Sequence, residues 1–454
     1  MIINVDFTLK KLAALCSLPY EGEDVKITSI STDSREIEKG TLFVALRGEK
    51  ADGNAYVPMA AAKGAAAVLC SPSAQRGECP ALLCEDALEA LIRGAKAHTA
   101  EISPLKVAVT GSVGKTTTKE MIFSVLSADR PTHKSESNYN TITGLLLTLL
   151  AMPRGTKAVV CEMGMSARGE ISQMARVLEP HIGVITCIGS SHLEYLKTRE
   201  NIASAKCELL DGMNGGTLIF HGDEPLLRNR EESIGQSVSF GLTDARNDLT
   251  AENIVFENGC SRFDVRMREK TVCGVTLPVT GKHNVTDALA AYAAGLLAGA
   301  EEDTIRRGLM GYRTVGMRQN LYEKNGLWIL EDCYNAGPES MMASLENLSA
   351  LSKNGRKAAV LGDMFELGDA SEELHRKVGR KAAEVGLEML ITVGEGAKAI
   401  AEGAMEGGLT KVRFFETEEI EQAAEAAKTL CESGDLLLVK ASRGMRLERL
   451  IALL

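Results

Sequence analysis

The sequence predicts an α/β protein of three domains: a central P-loop domain with a doubly wound, mostly parallel sheet, a small N-terminal α/β domain, and a C-terminal Rossmann-like α/β domain. Three observations predict it. The chain has 454 residues, too many for one core when a domain averages about 150 residues. Short β-branched runs alternate with helical stretches along most of it. The segment KVAVTGSVGKTTT, residues 106–118, joins a buried-strand run to a glycine turn and a helix start, an arrangement that surrounds a phosphate with backbone N–H groups.

In residues 1–103, residues 42–46 read as a strand, 48–54 as a loop, 57–63 as a helix stopped by Gly64, and 66–69 as a second strand. Pro104 marks a boundary. Residues 104–313 form the second unit. Val107-Ala-Val109 supplies its first strand, and residues 116–128 a helix with Met121, Ile122, Val125 and Leu126 on one side. Apolar runs at 158–161, 184–187 and 217–220 continue the parallel sheet, whose ligands collect outside the carboxyl ends of the strands. Residues 248–279 alternate as an antiparallel appendage would, and GKHNVTDALAAYAAGLLAGA reads as a long helix. The third unit, 314–454, has strand runs at 328–330, 358–361, 389–393, 412–415 and 436–439.

Bulk properties exclude several functions. A formal charge of −10 argues against a nucleic-acid partner. The longest apolar run, 145–152, is too short to cross a bilayer, so no membrane insertion is expected. The first twenty residues lack the basic start and apolar core of a signal peptide, which makes a cytoplasmic location the expectation. Eleven cysteines without a C-x-x-C pair fit structural thiols better than disulfides or zinc.

The phosphate loop is Gly111, Ser112, Val113, Gly114, Lys115, Thr116 and Thr117, with Val109 where the general P-loop pattern has its first Gly. Lys115 would neutralise β/γ-phosphate oxygens and the Thr116 hydroxyl would reach a magnesium ion. Glu162 and His192 close the next two strand runs, so loop, carboxylate and imidazole share one sheet edge and point to a magnesium–ATP site.

These motifs resemble the Mur ligase family. The likeness is carried by DSR at 33–35, LFVALRGEKADG at 42–53, TGSVGKTTTKEM at 110–121, EMGMSARGEI at 162–171, SHLE at 191–194 and AKCEL at 205–209. It continues through GKHN at 281–284, DCYNAGPESM at 332–341, LGDMFELG at 361–368 and LVKASRGMRLE at 438–448. The resemblance implies an ATP-dependent amide ligase that adds D-alanyl-D-alanine to UDP-N-acetylmuramoyl-tripeptide through an acyl phosphate, in peptidoglycan precursor synthesis. It implies ATP and two Mg2+ ions, one held by Thr116 and Glu162, the other by His192 and a carbamylated Lys206. Lys115, His192 and Lys206 would be the catalytic set. Asn284 would meet adenine, Arg318 the phosphates and Asp332 the ribose, with Lys440, Ser442 and Arg443 in a closing motif. Substrate contacts would fall to Ser34, Arg35, Arg47 and Gly48 at the uridine diphosphate end, and to Asn138, Asn140, Thr141, Tyr334 and Asn335. A monomer is expected. The chain departs from the family pattern at Thr141, Ile142, Leu146, Asn54 and Asp287, and in the order of GMRQ around Arg318.

The nearest competing reading is another member of the same family, one that adds a different amino acid or extends a folate with glutamate; residues 1–103, which resemble a uridine-nucleotide domain, speak against the folate enzyme. Two other classes compete as well. A GTP-driven switch would carry N-K-x-D and D-x-x-G motifs, which the chain lacks. A dinucleotide-binding dehydrogenase is suggested by Gly394-Glu-Gly396-Ala-Lys-Ala399 after a strand run, with Glu416 about twenty residues on.

Overall fold

The structure is a computed structural model that describes every residue except 49, 50, 137, 269 and 352–354. Among the described residues the strands form three sheets, of five, nine and six strands. In the first, Ile2–Thr8 pairs antiparallel with Lys26–Ser31, which is followed in parallel by Thr41–Val44, Ala67–Cys70 and Ala81–Leu83. The expected helix forms at Val57–Ala62 behind a short 3-10 turn. The long Ala87–Ile102 helix then leads back to Pro104.

The central sheet is built around Leu105–Thr110, which lies between Ala158–Glu162 and Ile182–Ile185, both parallel to it. Val107, Ala108 and Val109 are fully buried, as strands covered on both faces require. The β-rich stretch is not a separate appendage. Leu249–Glu257 joins the parallel sheet through Ser237–Gly241, and Cys260–Met267 and Lys270–Leu277 extend it antiparallel. The GKHN segment opens the Lys282–Leu297 helix, which packs against the phosphate-loop helix Lys115–Ser127.

In the third sheet Leu327–Glu331 and Lys357–Gly362 flank Leu436–Lys440, and Met389–Val393 and Val412–Phe415 follow in parallel. Asn320–Lys324 adds an antiparallel edge. The three regions join differently. Phe7, Leu9 and Leu91 share one continuous apolar cluster with Leu145–Leu147 and Met152 of the central region, and the Tyr139 hydroxyl donates to the Ile2 carbonyl at 2.7 Å. The third region meets the central one through polar contacts at Glu339 and Glu366. Such polar interfaces are the ones across which domains move.

Candidate active site

Gly111 and Gly114 have φ of 151° and 85°, and a Cβ on either would run into Thr186 Oγ1 or Asp287 Oδ1. The turn is therefore closed to side chains, and its backbone approaches the sheet edge and the Lys282–Leu297 helix directly. Lys115 curls over it, its ammonium donating to the carbonyls of Gly111 and Ser112 at 2.8 and 3.2 Å. Burial pushes the Lys115 pKa down, with Glu162 opposing. Such a cation gains from an anionic partner.

Thr116, in the first turn of the helix, donates to Glu162 Oε2 at 2.7 Å. Asn140 Nδ2 donates to the other oxygen at 3.1 Å, so this expected substrate residue is committed to orienting Glu162. Thr141, expected beside it in the substrate loop, caps the Ile142–Leu150 helix. Asn138 is exposed.

One cavity of about 360 Å³ collects the loop from Ser112 to Thr117 with Asn140, Glu162, Asn284, Arg318, Asp332, Tyr334 and Asn335. Two domains line it. Arg318 lies with its guanidinium carbon 3.7 Å from the centre of the Tyr334 ring, so it reaches the cavity despite the altered GMRQ order. Asp332 Oδ2 accepts from Lys440 Nζ at 2.7 Å, Ser344 Oγ at 2.7 Å and Gln319 Nε2 at 3.0 Å. Burial opposes its ionisation, yet Lys440 and these donors hold the Asp332 pKa below the usual range. Asn284 is buried and donates to the Thr280 carbonyl at 2.6 Å. Burial lowers the neighbouring His283 to about 4, leaving a neutral imidazole.

Lys206 lies outside this lining, in the last turn of Arg199–Cys207. It is 1% exposed, and among the described residues the charges that act on it are those of Lys115 and Cys187, with no carboxylate among them. Burial drives its pKa far down and the Lys115 charge adds to this, so the cationic form of the amine is disfavoured. His192 holds a left-handed φ of 68° at the start of Leu193–Leu196. Its Nδ1 lies 2.6 Å from Glu366 Oε2 of the third region.

Among the described residues no group of three or more His, Cys, Asp or Glu side chains is poised for a metal. Magnesium does not demand one: it keeps waters and takes one or two protein oxygens plus substrate phosphates, which fits the buried Thr116–Glu162 pair beside the phosphate loop.

In the N-terminal region, Ser34 follows Lys26–Ser31, and Arg47 and Gly48 follow Thr41–Val44. These strands are parallel neighbours, so both loops leave one sheet edge. Arg35 is exposed and paired with Asp33; Arg47 bridges to Asp52. Glu49 and Lys50 of the expected 47–53 loop lie outside the described residues.

Gly396 and Ala399 of the Rossmann-type run line a second cavity of about 710 Å³ in the third region. Asp363 Oδ1 accepts from the Ala397 N–H at 2.7 Å, at the start of the Ala397–Glu406 helix. A carboxylate of the chain thus sits where a dinucleotide's pyrophosphate would have to bind, which argues against the dehydrogenase reading.

Gln319, Ser344, Glu339 and Glu366 were not expected at the site. Gln319 falls in GMRQ, Glu339 in DCYNAGPESM and Glu366 in LGDMFELG, but the motifs do not name the partner that each meets through a long-range contact.

A short phosphate loop, a carboxylate bonded to its threonine and a facing third domain define the class of nucleotide-binding α/β proteins whose site is shared between two domains. The comparisons narrow it. The Mur ligase middle domain matches residues 109–295, the glutamate ligase domain of Mur ligases 317–443, and the Mur ligase family catalytic domain 26–106. The chain is 40% identical over 433 residues to the UDP-N-acetylmuramoyl-tripeptide–D-alanyl-D-alanine ligase of Bacillus subtilis, covering 94% of this chain and 93% of that one. It is 30% identical to the Escherichia coli enzyme of the same name, covering 98% of each. A crystal structure of MurF from Acinetobacter baumannii superposes with a TM-score of 0.88 at 30% identity, covering 99% of both chains. MurF ligase from Thermotoga maritima in complex with ADP gives 0.82 at 28% identity, covering 93% of this chain and 96% of that one. The chain belongs to the Mur ligase family.

Proposed function

We propose that this protein is the ATP-dependent ligase that joins D-alanyl-D-alanine to UDP-N-acetylmuramoyl-tripeptide in peptidoglycan precursor synthesis. One observation carries the reading. A single cavity combines the phosphate loop and Glu162 of the middle domain with Arg318, Asp332 and Lys440 of the third.

Loop N–H groups and Lys115 hold the ATP phosphates, Arg318 screens them from the third domain, and Asn284 and Asp332 receive adenine and ribose. The γ-phosphoryl group passes to the terminal carboxylate of the tripeptide: the bond to ADP breaks and a carboxyl oxygen–phosphorus bond forms. The amine of D-alanyl-D-alanine then attacks the carbonyl carbon, and phosphate leaves. Thr116 and Glu162 would hold one Mg2+, and His192 with Lys206 a second; bound there, the ions neutralise charge on the transferring group.

Lys206 serves this role as a carbamate. The support is its burial without a carboxylate and the suppression of its cationic form. A neutral amine can take up carbon dioxide, and the resulting anion offers oxygens to magnesium.

The domains divide at 103/104 and 313/314. The first seats the uridine diphosphate end through Ser34, Arg35, Arg47 and Gly48, while Asn138, Thr141, Tyr334 and Asn335 border the peptide. The protein works as a cytoplasmic monomer without nucleic acid. No helix among the described residues is long and apolar enough to cross a membrane.

The test is phosphate release from ATP with Mg2+, UDP-N-acetylmuramoyl-tripeptide and D-alanyl-D-alanine, omitting each in turn. Release must require both peptide substrates. Release that is independent of them refutes the reading.

A further inference from the structure

Glu339 stands in the first turn of the third-domain helix Pro338–Ala350, yet its carboxylate crosses to the middle domain. Oε1 accepts from the Ser190 backbone N–H at 2.9 Å and from the Ser190 hydroxyl at 2.7 Å. Oε2 is buried and receives no hydrogen bond, in a residue that lines the nucleotide cavity. The Ser112 hydroxyl is likewise buried without a partner, on the same wall. A Cβ on Gly189 would lie 2.8 Å from Glu339 Oε2 and 3.2 Å from Ser112 Cβ, so both crowd one point that only a glycine leaves open.

A buried carboxylate oxygen without a donor is costly, and it repels phosphate. Its complement is a cation or a strong N–H donor. ATP brings no ammonium group, and the side-chain ammonium of the tripeptide's third residue stands several bonds from the carboxylate that is activated. The incoming dipeptide brings its ammonium group to the reacting carbon itself. Ser190 is two residues from His192, which puts Glu339 on the acyl-transfer end, and the residue belongs to the domain that faces the middle one across the cavity. Taking the ligase reading above as its basis, we propose that Glu339 Oε2 seats the amino group of D-alanyl-D-alanine, which docks as an ammonium and releases one proton to water before the neutral amine attacks.

Glu339→Gln keeps an oxygen for Ser190 and removes the negative charge. The expected result is a rise of about 10-fold or more in KM for D-alanyl-D-alanine, the scale of one charge-assisted hydrogen bond. KM for ATP and for the UDP substrate, and the Mg2+ half-saturation point, stay unchanged. Hydroxylamine, a neutral amine near pH 7, needs no ammonium seat, so the variant should lose markedly less activity with hydroxylamine, read as hydroxamate, than with the dipeptide.

An unchanged dipeptide KM overturns the proposal. So does an equal loss of hydroxamate, which would make Glu339 only a domain tether, or a shifted Mg2+ requirement, which would make it a metal ligand. Hydroxamate formation by the wild type establishes the ligase reading separately; its absence removes that reading and this inference together.

Discussion

Asp287→Asn should make thermal stability less dependent on pH. Asp287 is buried on the Lys282–Leu297 helix, accepts from Thr118 Oγ1 at 3.0 Å, and faces the phosphate-loop backbone at Gly114. Burial raises its pKa from 3.8 to about 8, with the Thr118 bond opposing. The folded protein therefore keeps this proton up to about pH 8, whereas the unfolded chain loses it near pH 4. Between those values the unfolded state binds fewer protons, so stability falls as pH rises. From pH 5.5 to 8 the loss is about 3 kcal/mol, at about 1.4 kcal/mol per pH unit. In a domain of this size that is roughly 6–12 °C in Tm. Asparagine has the same shape, accepts from Thr118 equally and does not titrate. Calorimetry at pH 5.5 and 8.5 should show the middle-domain transition falling less in the variant by that amount, with ligase activity retained. Parallel pH profiles for the two proteins would refute the reasoning.

Lys206→Ala should lower activity by about 100-fold or more, the scale of a lost charge-stabilising group, and added short carboxylates should restore part of it. Removing dissolved carbon dioxide from the wild type should depress activity until bicarbonate is returned; indifference to both treatments would exclude a carbamate. Lys440→Ala should destabilise the third domain by about 3–5 kcal/mol, because Asp332 would be left buried without its cation. The single tryptophan, Trp328, lies in this domain and reports its unfolding by fluorescence. The Asp332 pKa is depressed, so its stabilising contribution is present at neutral pH and lost as pH falls through the folded value; a wild-type acid transition matching that of the variant would contradict this.

The parts of this site that sequence reveals are those set by local pattern. Val107–Val109 followed by Gly111 and Gly114 announces a strand and a phosphate turn because burial and positive φ each restrict residue choice. Glu162 is legible because a carboxylate after a buried strand lands on the same sheet edge. The Leu249–Glu257 strand was legible as β structure, but its parallel pairing with Ser237–Gly241 was not, since alternation does not name a partner. Asn140 shows the same limit: its motif was recognisable, while its bond to Glu162 depends on a fold 22 residues long. The third-domain contacts at Gln319, Glu339 and Glu366 come from docking two separately folded sheets, and no local spacing encodes them. The glycines at 394 and 396 misled in the opposite sense. They match a nucleotide turn, but Asp363 occupies its anion position.

Isotope transfer tests the central claim most directly. UDP-N-acetylmuramoyl-tripeptide carrying 18O in its terminal carboxylate is incubated with the protein, ATP, Mg2+ and D-alanyl-D-alanine, and the inorganic phosphate is analysed by mass. Carboxylate activation within the cavity formed by the Lys115 loop, Glu162 and Arg318 predicts one 18O atom in each phosphate released. Phosphate without label, alongside amide product, would contradict it.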